Sequence, residues 1–174
     1  VYILGVGEKG RLQVEIDVKG VSAHASTPWK GANAAYRLGQ ALRQIEAYEP
    51  ERDTSTSLFE HLSTFAIEHK PSPGNVEEII AEVEPDNPPL ASLLRALSRM
   101  TLTATMVRGG VKSNSVPEAI RLTCDVRTLP HQDEEYVRQE VSRVLEGVPG
   151  AEFEIDYMAV PNASPFETDF VRRI

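Results

Sequence analysis

The sequence predicts an α+β domain of the ferredoxin-like plan: a four-stranded antiparallel sheet in the order strand, helix, strand, strand, helix, strand, with both helices on one face. Three observations carry this. Four runs alternate apolar and polar residues with a period of two, two segments between them carry apolar residues at helical spacing, and residues 49–100 interrupt the plan with a helical pattern of their own.

The first strand is "RLQVEIDVK", residues 11–19, with Leu12, Val14, Ile16 and Val18 on one face and charged or amide side chains on the other. "TLTATMV" (101–107) sets Leu102, Ala104 and Met106 against threonines, and "EAIRLTCDVR" sets Ile120, Leu122, Cys124 and Val126 inward. "AEFEIDYM" closes the set with Phe153, Ile155 and Tyr157. One wet face on every strand points to an antiparallel sheet covered on one side. Ala35, Leu38, Leu42 and Ile45 define the first helix; Val137, Val141, Val144 and Leu145 define the second, with Asp133 as its N-cap. The Gly109-Gly110 pair in "RGGVKSNSVP" suits a hairpin or bulge between the middle strands. Within 49–100, Leu58, Leu62 and Phe65 follow a possible capping box of Ser57 and Glu60. Leu90, Leu93, Leu94 and Leu97 follow Asn87 and Pro88, and a Pro-rich loop, "HKPSPGN", separates the two helical patterns.

Composition narrows the function. The chain has 26 acidic against 18 basic residues, a net charge of −8, which argues against nucleic acid and for a small polar substrate or a protein partner. No apolar run approaches the roughly 18 residues of a membrane span. Cys124 is the only cysteine, so neither a disulfide framework nor a thiolate metal cluster is expected, and a cytoplasmic location fits. The chain opens on Val1 without a signal sequence and reads as a piece of a longer protein.

Candidate chemistry is sparse. His24, in "GVSAHASTP", follows a strand end among residues too small to bury an imidazole; it is either an incidental loop histidine or a donor to a developing oxyanion. Asn114 sits in a Gly-rich turn, where turn chemistry is the ordinary reading. Arg127, thirteen residues later on the polar face of a strand, is either a solvated charge or a carboxylate fork. Glu77-Glu78 and Glu134-Glu135 read as first-turn helix carboxylates rather than metal ligands. His61 and His69 lack a second ligand at four-residue spacing, and "GVGEKG" lacks the flanking strand and helix of a dinucleotide loop.

Two stretches, "GEKGRLQVEIDVKGVSAHASTPWKGANAAYRLGQAL" and "TATMVRGGVKSNSVPEAIRLTCDVRTLPHQDEEYVRQEV", together resemble the dimerisation, or lid, domain of the M20 metallopeptidases, a family that includes aminoacylases, succinyl-diaminopimelate desuccinylases, carnosinases and carboxypeptidase S enzymes. The resemblance implies a lid inserted into a separate catalytic domain that binds two zinc ions; this chain supplies no metal ligand. Residues 1–10 would then be a hinge from that domain, 11–160 the lid with 49–100 as its insertion, and 161–174 the return segment.

By the same resemblance His24 matches the lid histidine that stabilises the tetrahedral intermediate in the partner subunit's site. Asn114, in "NSVP", and Arg127 match residues that bind the substrate's terminal carboxylate, and Gly110 would let backbone approach the substrate. The family usually has a bulkier apolar residue where Ser115 stands. The implied function is a lid of an exopeptidase or amidohydrolase acting on a peptide or N-acyl amino acid, homodimeric through the first helix and strand 101–107, and inactive as a fragment. The alternative is a non-catalytic ferredoxin-like module that binds a ligand or protein.

Overall fold

The computed structural model describes residues 5–165 and 167–173, with every side chain among them except that of Tyr157. Its elements run β1 (Gly7–Glu8), β2 (Gly10–Lys19), β3 (Ala23–His24), α1 (Ala34–Glu46), α2 (Val76–Val83), α3 (Pro88–Leu97), β4 (Thr101–Gly109), β5 (Ser115–Val116), β6 (Ala119–Thr128), α4 (Glu134–Val144), β7 (Ala151–Ala159) and β8 (Asn162–Ala163). The long strands form one antiparallel sheet in the order β4–β6–β2–β7. Each long strand seen in the sequence pattern is present, because alternation fixes which face is buried and hence the register.

Leu12, Val14, Ile16 and Val18 of β2 are fully buried, and Leu122, Cys124 and Val126 of β6 lie in the same cluster. Each such burial contributes roughly 1.5–3 kcal/mol for the larger side chains. α1 and α4 both close over this face, through Ala34, Leu38, Ala41 and Ile45 and through Val137, Val141 and Val144. Side-chain caps start both helices: Asn33 accepts from the Ala35 amide at 2.8 Å and Asp133 from the Tyr136 amide at 2.9 Å. The other face of the sheet is charged. Arg121 bonds both oxygens of Asp17, at 2.8 and 2.7 Å, and one of Glu15 at 2.7 Å.

Several details differ from the sequence reading. The buried stripe of α1 begins at Ala34, not Ala35, and Leu42 is only partly buried. On β4 a register shift between Ala104 and Met106 breaks the alternation, so Met106 is 44% exposed rather than inward; edge strands accommodate such bulges because only one side is paired. The segment after Gly110 is no plain hairpin, since β5 pairs with β3 as a separate two-stranded sheet. Residues Ser57–Phe65 form a 3₁₀ helix without a side-chain cap, so the Ser57–Glu60 box does not close, and Phe59 takes the buried place expected of Phe65. Leu93 likewise faces solvent, and Ala91 is buried instead. The side chain of Tyr157 lies outside the described residues.

The segment 49–100, expected as an insertion, has a core of its own in Phe59, Leu62, Val76, Ile79, Ile80, Leu90, Ala91 and Leu94. Polar contacts tie this segment to one end of the sheet: Lys9 Nζ donates to the carbonyls of Ala96 and Arg99 at 2.7 Å each, while the Asp53 amide, donating to the Ser98 carbonyl at 2.7 Å, closes the segment on itself. His131 approaches Asp53 at 3.1 Å. At that same end β1 pairs with β8, which sets the 5–10 and 161–165 segments side by side. Residues 1–4, 166 and 174 of the expected hinge and return segments lie outside the described residues.

Candidate functional site

The loop bearing His24 is built from short-range backbone closure. After β2 ends at Lys19, the Gly20 amide donates to the Glu118 carbonyl at 2.7 Å, and Val21 and Ala32 exchange both backbone bonds at 2.7 and 2.9 Å. These contacts pinch the base of the 21–32 loop. Its tip is held by β3 against β5, with His24 opposite Ser115, and by the Ala25 amide on the Asn114 carbonyl at 2.9 Å. His24 is exposed. Its Nδ1 lies 2.7 Å from Ser26 Oγ and 3.2 Å from the Ser26 amide nitrogen, while the His24 carbonyl accepts from the Thr27 amide at 2.9 Å.

Asn114 is exposed, and its backbone rather than its side chain makes the contact to the histidine loop. Gly110, at the same end of the sheet, has φ +79°, a left-handed conformation that favours glycine, and a Cβ there would meet open space. The structure therefore brings His24, Asn114 and Gly110 to one end of the sheet. It does not bring Arg127 there. Arg127 pairs with Arg11 of β2 and Thr101 of β4, eight residues along β6 from Ala119, which is about 26 Å at ~3.3 Å per residue.

Arg127 is already engaged: its Nε and Nη2 donate to the two oxygens of Asp125 at 2.6 and 3.3 Å, and Arg11 shares that carboxylate at 3.2 Å. Burial alone would raise the Asp125 carboxyl, but the bonds from Arg127 and Arg11 outweigh it and hold it below the usual carboxylate range. Lys9 stands close by, its ammonium lowered to about 8 by burial and by the charges of Arg127 and Arg99. This end of an acidic chain thus gathers Lys9, Arg11, Arg99 and Arg127 around Asp125 and Glu77.

Among the described residues no three His, Cys, Asp or Glu side chains are grouped to hold a metal ion. His69 lies 4.0 Å from Glu82. Glu77 binds Arg52, at 2.7 Å, and Arg99; Glu134 binds Arg138 at 2.8 Å. Cys124 is fully buried, and burial pushes its thiol up to about 12, the state of an inert packing group. No helix among the described residues is long and apolar enough to cross a membrane. Sequence reasoning missed Ser26, Asp125 and Lys9. The first two are legible as i+2 and i−2 neighbours of His24 and Arg127; Lys9 meets its partners only through the insertion.

The peptidase dimerisation domain family, M20_dimer, matches residues 6–164. A probable succinyl-diaminopimelate desuccinylase of Staphylococcus aureus is 23% identical over 85% of this chain and 34% of its own length. A probable carboxypeptidase S-like protein of Dictyostelium discoideum is 28% identical over 82% of this chain and 28% of its own. Among solved structures, an M20 family metallo-carboxypeptidase from Sulfolobus solfataricus superposes with a TM-score of 0.64 at 20% identity, covering 96% of this chain and 41% of that one. Human carnosine dipeptidase 1 gives 0.57 at 14%, covering 95% and 40%. The chain thus spans about a third or less of the length of these curated relatives. With the family match running across the four-stranded sheet, both two-stranded pairs and the helices between them, the chain belongs to the M20 peptidase dimerisation domains.

Proposed function

We propose that this domain is the lid and dimerisation element of a zinc-dependent exopeptidase or amidohydrolase that cleaves a peptide or N-acyl amino acid. The observation that carries the reading is the seating of His24 beside Asn114 on the paired tips of β3 and β5, exposed and at the end of the sheet away from β1 and β8. A histidine there can reach a site on another molecule, and its ring N–H can donate to the oxyanion of a tetrahedral intermediate. Removing one such donor typically costs about 10²–10³-fold in rate. The strand order β4–β6–β2–β7 with α1 and α4 on one face supports the ferredoxin-like assignment of the fold.

The separation along β6 refines the assignment. His24 and Arg127 of one copy lie too far apart to hold one small substrate, so each site would take His24 and Asn114 from one subunit and Arg127 from the other. With residues 1–10 as hinge and 161–174 as return, Arg127, at the end where β1 and β8 meet, would serve its own subunit's catalytic domain. Metal chemistry would be supplied by that catalytic domain, and this chain alone would be inactive. A homodimer through α1 and β4 is supported by Met106 and Val107 on the unpaired edge and by Tyr36 on α1, 78% exposed. A cytoplasmic setting suits the single buried thiol.

The test mixes two variants of the full-length protein, one His24→Ala and one lacking a metal ligand of the catalytic domain. Shared sites give heterodimers with one intact site and recovered turnover of a dipeptide or N-acyl amino acid. Activity of the mixture equal to the sum of the separate variants refutes the shared-site reading.

A further inference from the structure

We propose that Ser26 is a positioning residue that holds His24 as its Nε2–H tautomer, so that the ring presents a donor, rather than a lone pair, to the substrate's developing oxyanion. The inference rests on the proposed role of His24 and adds the group that makes that role one-sided.

A neutral imidazole carries one proton and two nitrogens, so only one of its two tautomers can donate from a given edge. The geometry at Nδ1 selects between them. The backbone amide of Ser26 points at Nδ1 from 3.2 Å, and an amide N–H can only donate. A proton on Nδ1 would set two N–H groups against each other, so Nδ1 keeps its lone pair and the ring proton sits on Nε2. With the Nδ1 lone pair retained, the Ser26 hydroxyl, 2.7 Å from the same nitrogen, donates to it as well. The turn that aims both groups is itself fixed: the Thr27 amide donates to the His24 carbonyl at 2.9 Å and the Ala25 amide to the Asn114 carbonyl at 2.9 Å. Nε2 has no protein partner among the described residues, and the side chain is exposed. Without the hydroxyl, Nδ1 keeps the amide as its one donor, and the preference over the Nδ1–H form, whose Nε2 lone pair would repel an oxyanion, is smaller by one hydrogen bond.

The direct measurement is ¹⁵N NMR of the 174-residue chain with labelled histidine, read at alkaline pH; His24 is assigned by its loss in His24→Ala. The expected result is an unprotonated Nδ1 and a protonated Nε2 at His24, a rise of the Nδ1–H form in Ser26→Ala, and its suppression again in Ser26→Thr. In the full-length protein Ser26→Ala is expected to lower kcat about two- to tenfold with KM unchanged, the span of one neutral hydrogen bond, with Ser26→Thr recovering it.

A mixed or Nδ1–H ring in the unaltered chain overturns the proposal, as does a Ser26→Ala variant with unchanged tautomer and unchanged kcat. Those results leave the oxyanion role standing if His24→Ala still costs at least about a hundredfold. Turnover that survives His24→Ala overturns the oxyanion role itself, whatever the tautomer.

Discussion

Gly20→Ala tests whether the base of the histidine loop is as tightly closed as the backbone contacts indicate. A Cβ on Gly20 would lie 2.8 Å from the Ala34 amide nitrogen and closer still to the Ala32 carbonyl oxygen. Both neighbours are backbone, so no side chain can swing aside. The same few residues carry four backbone bonds: Gly20 to Glu118 and Val21 to Ala32, each 2.7 Å, Ala32 to Val21 at 2.9 Å, and Ala34 to Pro117 at 3.1 Å. The least movement that admits a methyl group separates residue 20 from Ala32, which sacrifices the reciprocal Val21–Ala32 pair at about 0.5–1.5 kcal/mol per bond. Overpacking adds about 1–3 kcal/mol, while the stiffer unfolded chain returns roughly 0.4–1 kcal/mol. The net expectation is a loss of about 2–4 kcal/mol, a fall in Tm of roughly 5–15 °C for a chain of this size. Urea and thermal denaturation measure it, with Gly74→Ala as control, because the nearest atom to a Cβ there is Ser72 Oγ at 3.9 Å. A Gly20→Ala chain within about 0.5 kcal/mol of the control, the ordinary span of neutral surface changes, would refute the close-packed base.

Asp125→Asn is expected to remove stability at neutral pH. The folded Asp125 carboxyl is held below its ordinary value, so its contribution is present above the unfolded value near 3.8 and disappears as pH falls through the folded value. Denaturation curves of the two chains should differ at pH 7 and converge in acid, and a gap that widens in acid contradicts the pairing. Val107→Lys, at a position 56% exposed on β4, should leave the fold intact and weaken the proposed homodimer roughly tenfold or more, read by analytical ultracentrifugation; unchanged association refutes the proposed β4 interface. The Cys124 thiol should resist a disulfide reagent in the native chain and react on unfolding, and prompt native labelling would contradict its burial.

Much of the fold is legible because period-two alternation and helical spacing are local signals. Leu12 to Val18 announce β2, Asp133 announces α4, and Asn87 with Pro88 announces α3. Reading fails where a tertiary contact overrides the local pattern. Met106 turns outward because β4 is an edge with a bulge, and Ser57 and Glu60 do not form their box because that segment winds as a 3₁₀ helix that buries its own Phe59 and Leu62. The site divides in the same way. His24 and Asn114 stand out by their small and Gly-rich neighbours, but nothing along the chain says that they touch through Ala25 while Arg127 lies at the far end of β6.

By itself the sequence determined the four long strands, the helices that cover them, the family resemblance and the identities of the candidate residues, since each is written in spacing or in a contiguous motif. The tertiary structure decided which of those residues share a site. The extended length of β6 sets residues 114 and 127 at opposite ends of the sheet, and its antiparallel pairing with β2 folds residues 24 and 114, ninety positions apart, against each other. It also decided what Nδ1 of His24 meets, because the direction of the Ser26 amide is set by the turn and not by the letters around it.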